Sequence, residues 1–303
     1  MDLLGAALTP LEGGYSGETF LAEAAGERSV VRIYAHSGDR RGPNAAEIDA
    51  AVLRLVRGLL PVPEVQEVRR PDETAGTPGV MVTSYLDGQR LDLLLPDADD
   101  ELRTTIGRNL AEMLARLSQM PMLRAGMFVD ADLRIGAMPD GANDLVEWCG
   151  VHIEGSALGE WSAKDRDLLL RVADRAQSLD DTVDRVCLVH SDFNTKNLLV
   201  DPDTGAVTGL LDWEFAHAGS PFTDLGNLLR FERDPLFVES VLSSYTQSLF
   251  WAPENVLDLA RAADLWALVD LAARGDEHEI TQRAHDLLLA VARAGDLHAV
   301  PTW

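Results

Sequence analysis

Apolar and polar positions along the chain follow two different rhythms. The first ninety or so residues alternate in short β-branched runs with one helical interruption. Residues 11–22 read as a strand, a glycine turn and a second strand, and residues 29–34 as a third strand. Residues 44–59 place Ile48, Val52, Leu55, Val56 and Leu59 at helical spacing behind Asn44, a good helix-capping residue type. Pro61 and Pro63 stop that helix. Two strands follow at 64–69 and 79–84, split by a loop rich in proline and glycine. From Asp99 onward the rhythm is helical, with Leu102, Ile106, Leu110, Met113, Leu114 and Leu117 on one face. Helices are predicted over 143–155, 163–179, 235–250, 254–274 and 276–294, and residues 121–144 as loop with at most a short hairpin. Sheet first and helices after is the order of an α+β protein.

Composition narrows the function classes. The 303 residues are 46% hydrophobic and 25% charged, ordinary values for a globular chain with a sizeable core. The net charge of −24 repels phosphate backbones and argues against nucleic-acid binding, while it would attract a polycation. Cys149 and Cys187 have no paired spacing, so neither a disulfide framework nor a thiolate zinc site is expected. Residues 1–10 lack the basic start of a signal peptide, and no run reaches the roughly eighteen apolar residues of a membrane span. The expected location is the cytoplasm.

One stretch carries the chemistry. His190-Ser-Asp192-Phe-Asn-Thr-Lys-Asn197 precedes an apolar strand, the turn run Asp201-Pro-Asp-Thr-Gly205, a second apolar strand, and Asp212-Trp-Glu214. Folding that segment as a hairpin brings Asn197 and Asp212 together at its open end, with Asp192 in the loop feeding it. Such a group of oxygen donors suits Mg²⁺, and Asp192 is left to accept a proton from a hydroxyl. Upstream, the turn containing Gly13, Gly14 and Ser16 lets backbone amides approach a phosphate.

His-x-Asp-x-x-x-x-Asn followed by an aspartate that opens a tripeptide is the catalytic layout of protein kinases. With Asp-Trp-Glu in the tripeptide and Gly219-Ser-Pro-Phe-Thr-Asp224-Leu-Gly after it, the chain resembles the aminoglycoside phosphotransferase family of small-molecule kinases. Ser191 departs from that pattern, where glycine is usual. The resemblance implies a two-lobed, protein-kinase-like fold. A β-rich nucleotide-binding lobe would span 1–83, a hinge 84–89, and a helical lobe 90–303. It implies ATP or GTP as donor, Mg²⁺ held by Asn197 and Asp212, and Asp192 as catalytic base. Arg32 takes the place of the lysine that pairs with phosphate, and Glu47 pairs with Arg32 to hold it. Ser84 C=O and Leu86 N–H are the adenine contacts in this reading. His190 and Asp224 brace the catalytic loop, and Lys196 is either a phosphate contact or a solvated loop lysine.

The acceptor is less defined. Glu214, Glu232, Asp234 and Asp276 lie where the family places carboxylates facing substrate amines, which favours an aminoglycoside or related antibiotic and a resistance-type kinase. Trp148, Glu147 and Glu154, in the insertion before the catalytic loop, are either further contributors or ordinary packing and surface residues. A metabolite such as choline, homoserine or a sugar, a neutral macrolide, and nucleotide binding without turnover are the alternatives. No activation segment ending in Ala-Pro-Glu follows Asp212, which disfavours a protein kinase. The chain is expected to act as a monomer or homodimer.

Overall fold

The computed structural model describes residues 7–11, 18–24, 26–34, 41–72, 74–139, 142 and 144–301. Its N-terminal part is a five-stranded antiparallel sheet with one helix. Strands β1 (Ala7–Pro10), β2 (Glu18–Ala24) and β3 (Glu27–Tyr34) precede helix α1 (Ala45–Val56), and β4 (Val65–Arg69) and β5 (Gly79–Ser84) follow it. The sheet order is β1-β2-β3-β5-β4. Alternation along β2, β3 and β5 turns Ala22, Val31 and Val82 into one small core.

Helix α1 buries Ala45, Ala46, Ile48, Asp49, Val52, Leu53 and Val56. Leu55 and Leu59, expected inward, are 41% and 49% exposed. Leu55 lies off the buried face of α1, and Leu59 lies beyond the helix, which ends at Val56 where Arg57 leaves helical geometry and Gly58 turns at φ +80°. Asn44 sits before α1 without capping it by its side chain, which donates instead to the Val129 carbonyl at 3.2 Å.

After residues 85–88 the chain enters a mainly helical part. It contains β6 (Gln89–Arg90), α2 (Leu91–Leu94), α3 (Asp100–Ser118), β7 (Gly126–Met127), α4 (Leu145–Ile153) and α5 (Ala163–Asp180). Then come β8 (Cys187–Val189), β9 (Leu198–Val200), β10 (Val207–Leu210), β11 (His217–Gly219), α6 (Thr223–Leu229), α7 (Pro235–Ser248), α8 (Val256–Ala273) and α9 (Glu279–Ala294). The architecture is α+β and two-lobed. Helix α3 begins where Asp99 accepts from Leu102 N, and it lies along α7. Helices α4, α5, α8 and α9 enclose a second core around Leu145, Leu169, Leu268 and Leu288. No described helix is long and apolar enough to cross a membrane.

Several short elements have no counterpart in the hydrophobic pattern. Strands β7 and β8 flank β11 in a small sheet, and β6 adds to the β9–β10 hairpin. Helix α6 is only seven residues long. It packs so closely on α8 that a Cβ at Gly226 would lie 2.2 Å from the Ala260 carbonyl oxygen and 2.7 Å from Asp264 Cβ. Gly226→Ala should therefore destabilise the protein by about 1–3 kcal/mol, as overpacking does. The urea midpoint would fall with an unchanged slope, and an unmoved midpoint would disprove the close approach.

Candidate active site

The site begins where β8, buried at all three positions, delivers the chain to His190. Asp224, in the first turn of α6, accepts from His190 N at 2.8 Å and from Ser191 N at 2.7 Å. Burial raises the Asp224 carboxyl above the usual carboxylate range, opposed by His190 and the two amide donors. The His190 ring is fully buried. Its Nε2 lies 2.8 Å from the Leu211 carbonyl oxygen, and its Nδ1 accepts from Asp192 N at 3.2 Å. That pattern assigns the proton to Nε2. Trp213 packs edge-on against the ring at 4.6 Å.

Asp192 follows with both carboxylate oxygens engaged. Asn194 Nδ2 donates to Oδ1 at 2.8 Å, and Asn197 Nδ2 donates to Oδ2 at 2.7 Å and to the Asp192 carbonyl at 3.0 Å. Strands β9 and β10 form the hairpin expected from the turn run, with Leu198 opposite Leu210. One residue beyond that pair, Leu211 N donates to the Asn197 carbonyl at 2.8 Å. Asn197 and Asp212 thus flank the open end of the hairpin. Asp212 itself adopts φ +62°.

Arg32 reaches this end from β3. Its Nη1 lies 2.7 Å from Asp212 Oδ1 and its Nη2 2.5 Å from Glu214 Oε2. Burial works to lower the Arg32 pKa, but Asp212, with Tyr34 and Glu214, outweighs it and holds the guanidinium above its ordinary value. Glu47 does not pair with Arg32. It binds Arg70 Nε at 2.7 Å instead. The inward carboxylate of α1 is Asp49, 2% exposed, which accepts from Tyr34 Oη at 2.8 Å and from Arg41. Burial raises the Asp49 carboxyl, while Arg41 and Arg32 pull it down. Arg41 Nη2 continues to the Trp213 and Ala216 carbonyls, each at 3.2 Å.

The remaining positions divide. Gly13, Gly14 and Ser16 lie outside the described residues. Ser84 ends β5, its backbone N–H donating to the Glu64 carbonyl at 2.9 Å, and Leu86 lies in the crossing beside Gly209. Lys196 is exposed. Of the four acids expected to face a substrate, Glu214 is taken by Arg32. Asp234 caps α7 through Phe237 N at 2.9 Å and lies 3.5 Å from Arg103. Glu232 is half-buried, its carboxyl raised by burial and lowered by Arg283, and Asp276 is exposed between α8 and α9. In the insertion, Trp148 donates to the Trp266 carbonyl at 3.0 Å, and Glu147 and Glu154 lie at the two ends of α4. Cys149 and Cys187 are buried free thiols, and burial pushes Cys149 up to about 12.

Three residues at the site were missed by the sequence reading: Asn194, Arg41 and Asp49. Asn194 follows the i to i+2 pattern in which asparagine side chains bond their own turn. Asp49 shares the face of Val52, Leu53 and Val56, a sign that it is buried. Among the described residues no group of three or more His, Cys, Asp or Glu forms a metal cage. Asn197 and Asp212 are hard oxygen donors of the kind Mg²⁺ takes when phosphates and water complete its shell.

Residues 7–257 match the model of the phosphotransferase enzyme family, APH. Streptomycin 3''-kinase of Streptomyces griseus is 29% identical over 237 residues, covering 75% of this chain and 82% of that enzyme. A 55-residue segment is 40% identical to mouse acyl-CoA dehydrogenase family member 11, covering 18% of this chain but only 7% of that longer protein. In fold, the chain is similar to an aminoglycoside phosphotransferase, APH(2″), solved with GDP and kanamycin. The TM-score is 0.72 at 17% identity, covering 95% of this chain and 93% of the other.

Ser191 occupies φ +67°, left-handed backbone that glycine adopts without a side-chain penalty. Ser191→Gly should raise the unfolding free energy by about 1 kcal/mol, read as a higher urea midpoint. A lower midpoint would mean that the serine is not strained.

Proposed function

This chain belongs to the phosphotransferase enzyme family, and from that premise we propose that it transfers the terminal phosphoryl group of ATP or GTP to a hydroxyl of a small cationic antibiotic of the aminoglycoside type. It is a phosphotransferase acting on a small-molecule alcohol. The observation that carries the finer reading is the Asp192 carboxylate, held by two amides beside the hairpin end that bears Asn197 and Asp212. Phosphoryl transfer asks mainly for positioning and charge neutralisation, and this arrangement offers both.

In this reading Asp192 orients the acceptor hydroxyl and takes its proton. Asn197 and Asp212 would hold Mg²⁺, which when bound neutralises the phosphate oxygens. His190 and Asp224 fix the loop, and Arg32 binds phosphate. Arg32 is engaged by Asp212 and Glu214, so phosphate oxygens would compete with those carboxylates for one guanidinium. Phosphate that draws Arg32 away frees Asp212 Oδ1. The crossing at 85–88 serves as the hinge, with Ser84 and Leu86 backbone toward the nucleotide base.

The streptomycin kinase relative and the acidity of this chain favour a cationic acceptor. One observation favours a neutral acceptor instead: Glu214 and Asp234 are committed to Arg32 and to the α7 terminus. Turnover of MgATP and MgGTP over a panel of aminoglycosides, macrolides, choline, homoserine and sugars decides between them. Turnover confined to neutral alcohols would retire the cationic reading.

Asp192→Ala should lower kcat about 10³-fold, within the range for loss of an acid–base residue, with nucleotide affinity retained. Wild-type turnover would remove Asp192 from its role. Asp212→Asn should raise the Mg²⁺ concentration needed for half-maximal rate about tenfold or more, and an unaltered metal dependence would exclude Asp212 as a ligand.

A further inference from the structure

Asp192 is gripped from two sides by amides of its own loop. Asn197 reaches Oδ2, and it also binds the Asp192 carbonyl, so its Nδ2 is doubly committed. Asn194 reaches Oδ1 at 2.8 Å. The same Asn194 accepts from Lys196 N at 2.9 Å through its Oδ1, which starts the single turn of 3₁₀ helix at residues 195–197. One side chain therefore holds the carboxylate with its donor and the turn bearing Asn197 with its acceptor.

The donor matters because an aspartate's last torsion is soft. Rotation about the bond to the carboxylate is broad and nearly two-fold, so a single hydrogen bond on Oδ2 leaves the plane free to rock. A second donor on the other oxygen removes that freedom. Each oxygen offers two acceptor positions, so one donor apiece leaves room for a hydroxyl proton.

We propose that Asn194 is a positioning residue for phosphoryl transfer: its Nδ2–H fixes the plane of the Asp192 carboxylate so that a lone pair stays aimed at the acceptor hydroxyl. This rests on Asp192 being the proton acceptor, as argued above. It also says why asparagine stands at position 194. Aspartate would keep the acceptor for Lys196 N but would present an anion to Asp192 instead of a donor.

That difference separates positioning from capping. Phosphoryl transfer from MgATP is measured with streptomycin as acceptor, or to water where streptomycin is not phosphorylated. Asn194→Asp and Asn194→Ala should both lower kcat about 10- to 100-fold, as a small misplacement of a catalytic group does. The nucleotide KM should hold for both, and the melting temperature of Asn194→Asp should match wild type because the cap survives. In an Asp192→Ala background, adding Asn194→Asp, which keeps the cap, should cost nothing further, since the target of the lost donor is gone.

A wild-type kcat in Asn194→Asp would reduce Asn194 to a cap and overturn the proposal. Multiplying losses in the double variant would also overturn it, by placing the action of Asn194 elsewhere. Full turnover by Asp192→Ala alone would overturn the underlying reading, and that result is visible without any change at Asn194.

Discussion

Everything at the candidate site depends on a buried carboxylate taking two backbone protons. Asp224, 3% exposed, accepts from His190 N and Ser191 N. An unpaired carboxylate at that depth would be costly, so burial and the two amides require each other. The pair dictates where the chain turns, and it does so at a residue whose backbone is left-handed. Helix α6 is the arm that presents Asp224. Its far end is fixed by Arg230, just after the helix, which forks onto Asp264 of α8 at 2.6–3.1 Å. A seven-residue helix would not hold itself in water; it is held by its two ends and by Gly226 pressed on α8. The loop is thus tied to the helical core through buried charges as well as through the packing of His190 and Phe193.

The opposite side of the site is controlled by charge. In a chain with 50 acidic and 26 basic side chains, a cation placed among carboxylates is strongly retained. Arg32 sits between Asp212 and Glu214, with Asp49 adding to the field that keeps it charged. Its position in the sheet follows from strand alternation, which turns Val31 inward on one face and leaves Arg32 on the other. Asp212, the carboxylate proposed above for the metal, is one of the two partners of this cation.

Much of this was legible from residue patterns, and the failures have specific causes. The β9–β10 hairpin announced itself because Asp201 to Gly205 is a dense run of turn formers between apolar strands. The long helices α3, α5, α8 and α9 carried clear stripes. Glu47 was misassigned because the resemblance placed the partner of Arg32 there, while the buried face of α1 carries Asp49 beside Val52, Leu53 and Val56. The helix turns Glu47 toward Arg70 and Asp49 toward the site. Helix α6 and the β7–β11–β8 sheet are too short to generate a period, so only tertiary contacts define them. The resemblance turned Asp234 toward a substrate, while an acid before proline and an apolar run also signals a helix cap, and Asp234 caps α7.

Arg41 has a mechanical consequence. Its guanidinium bonds Asp49 of α1 at one nitrogen and two carbonyls just past Asp212 at another. The helix of the small lobe and the strand end of the large lobe are thereby riveted across the cleft. Separating them breaks both carbonyl hydrogen bonds and leaves the one between Arg41 and Asp49 intact.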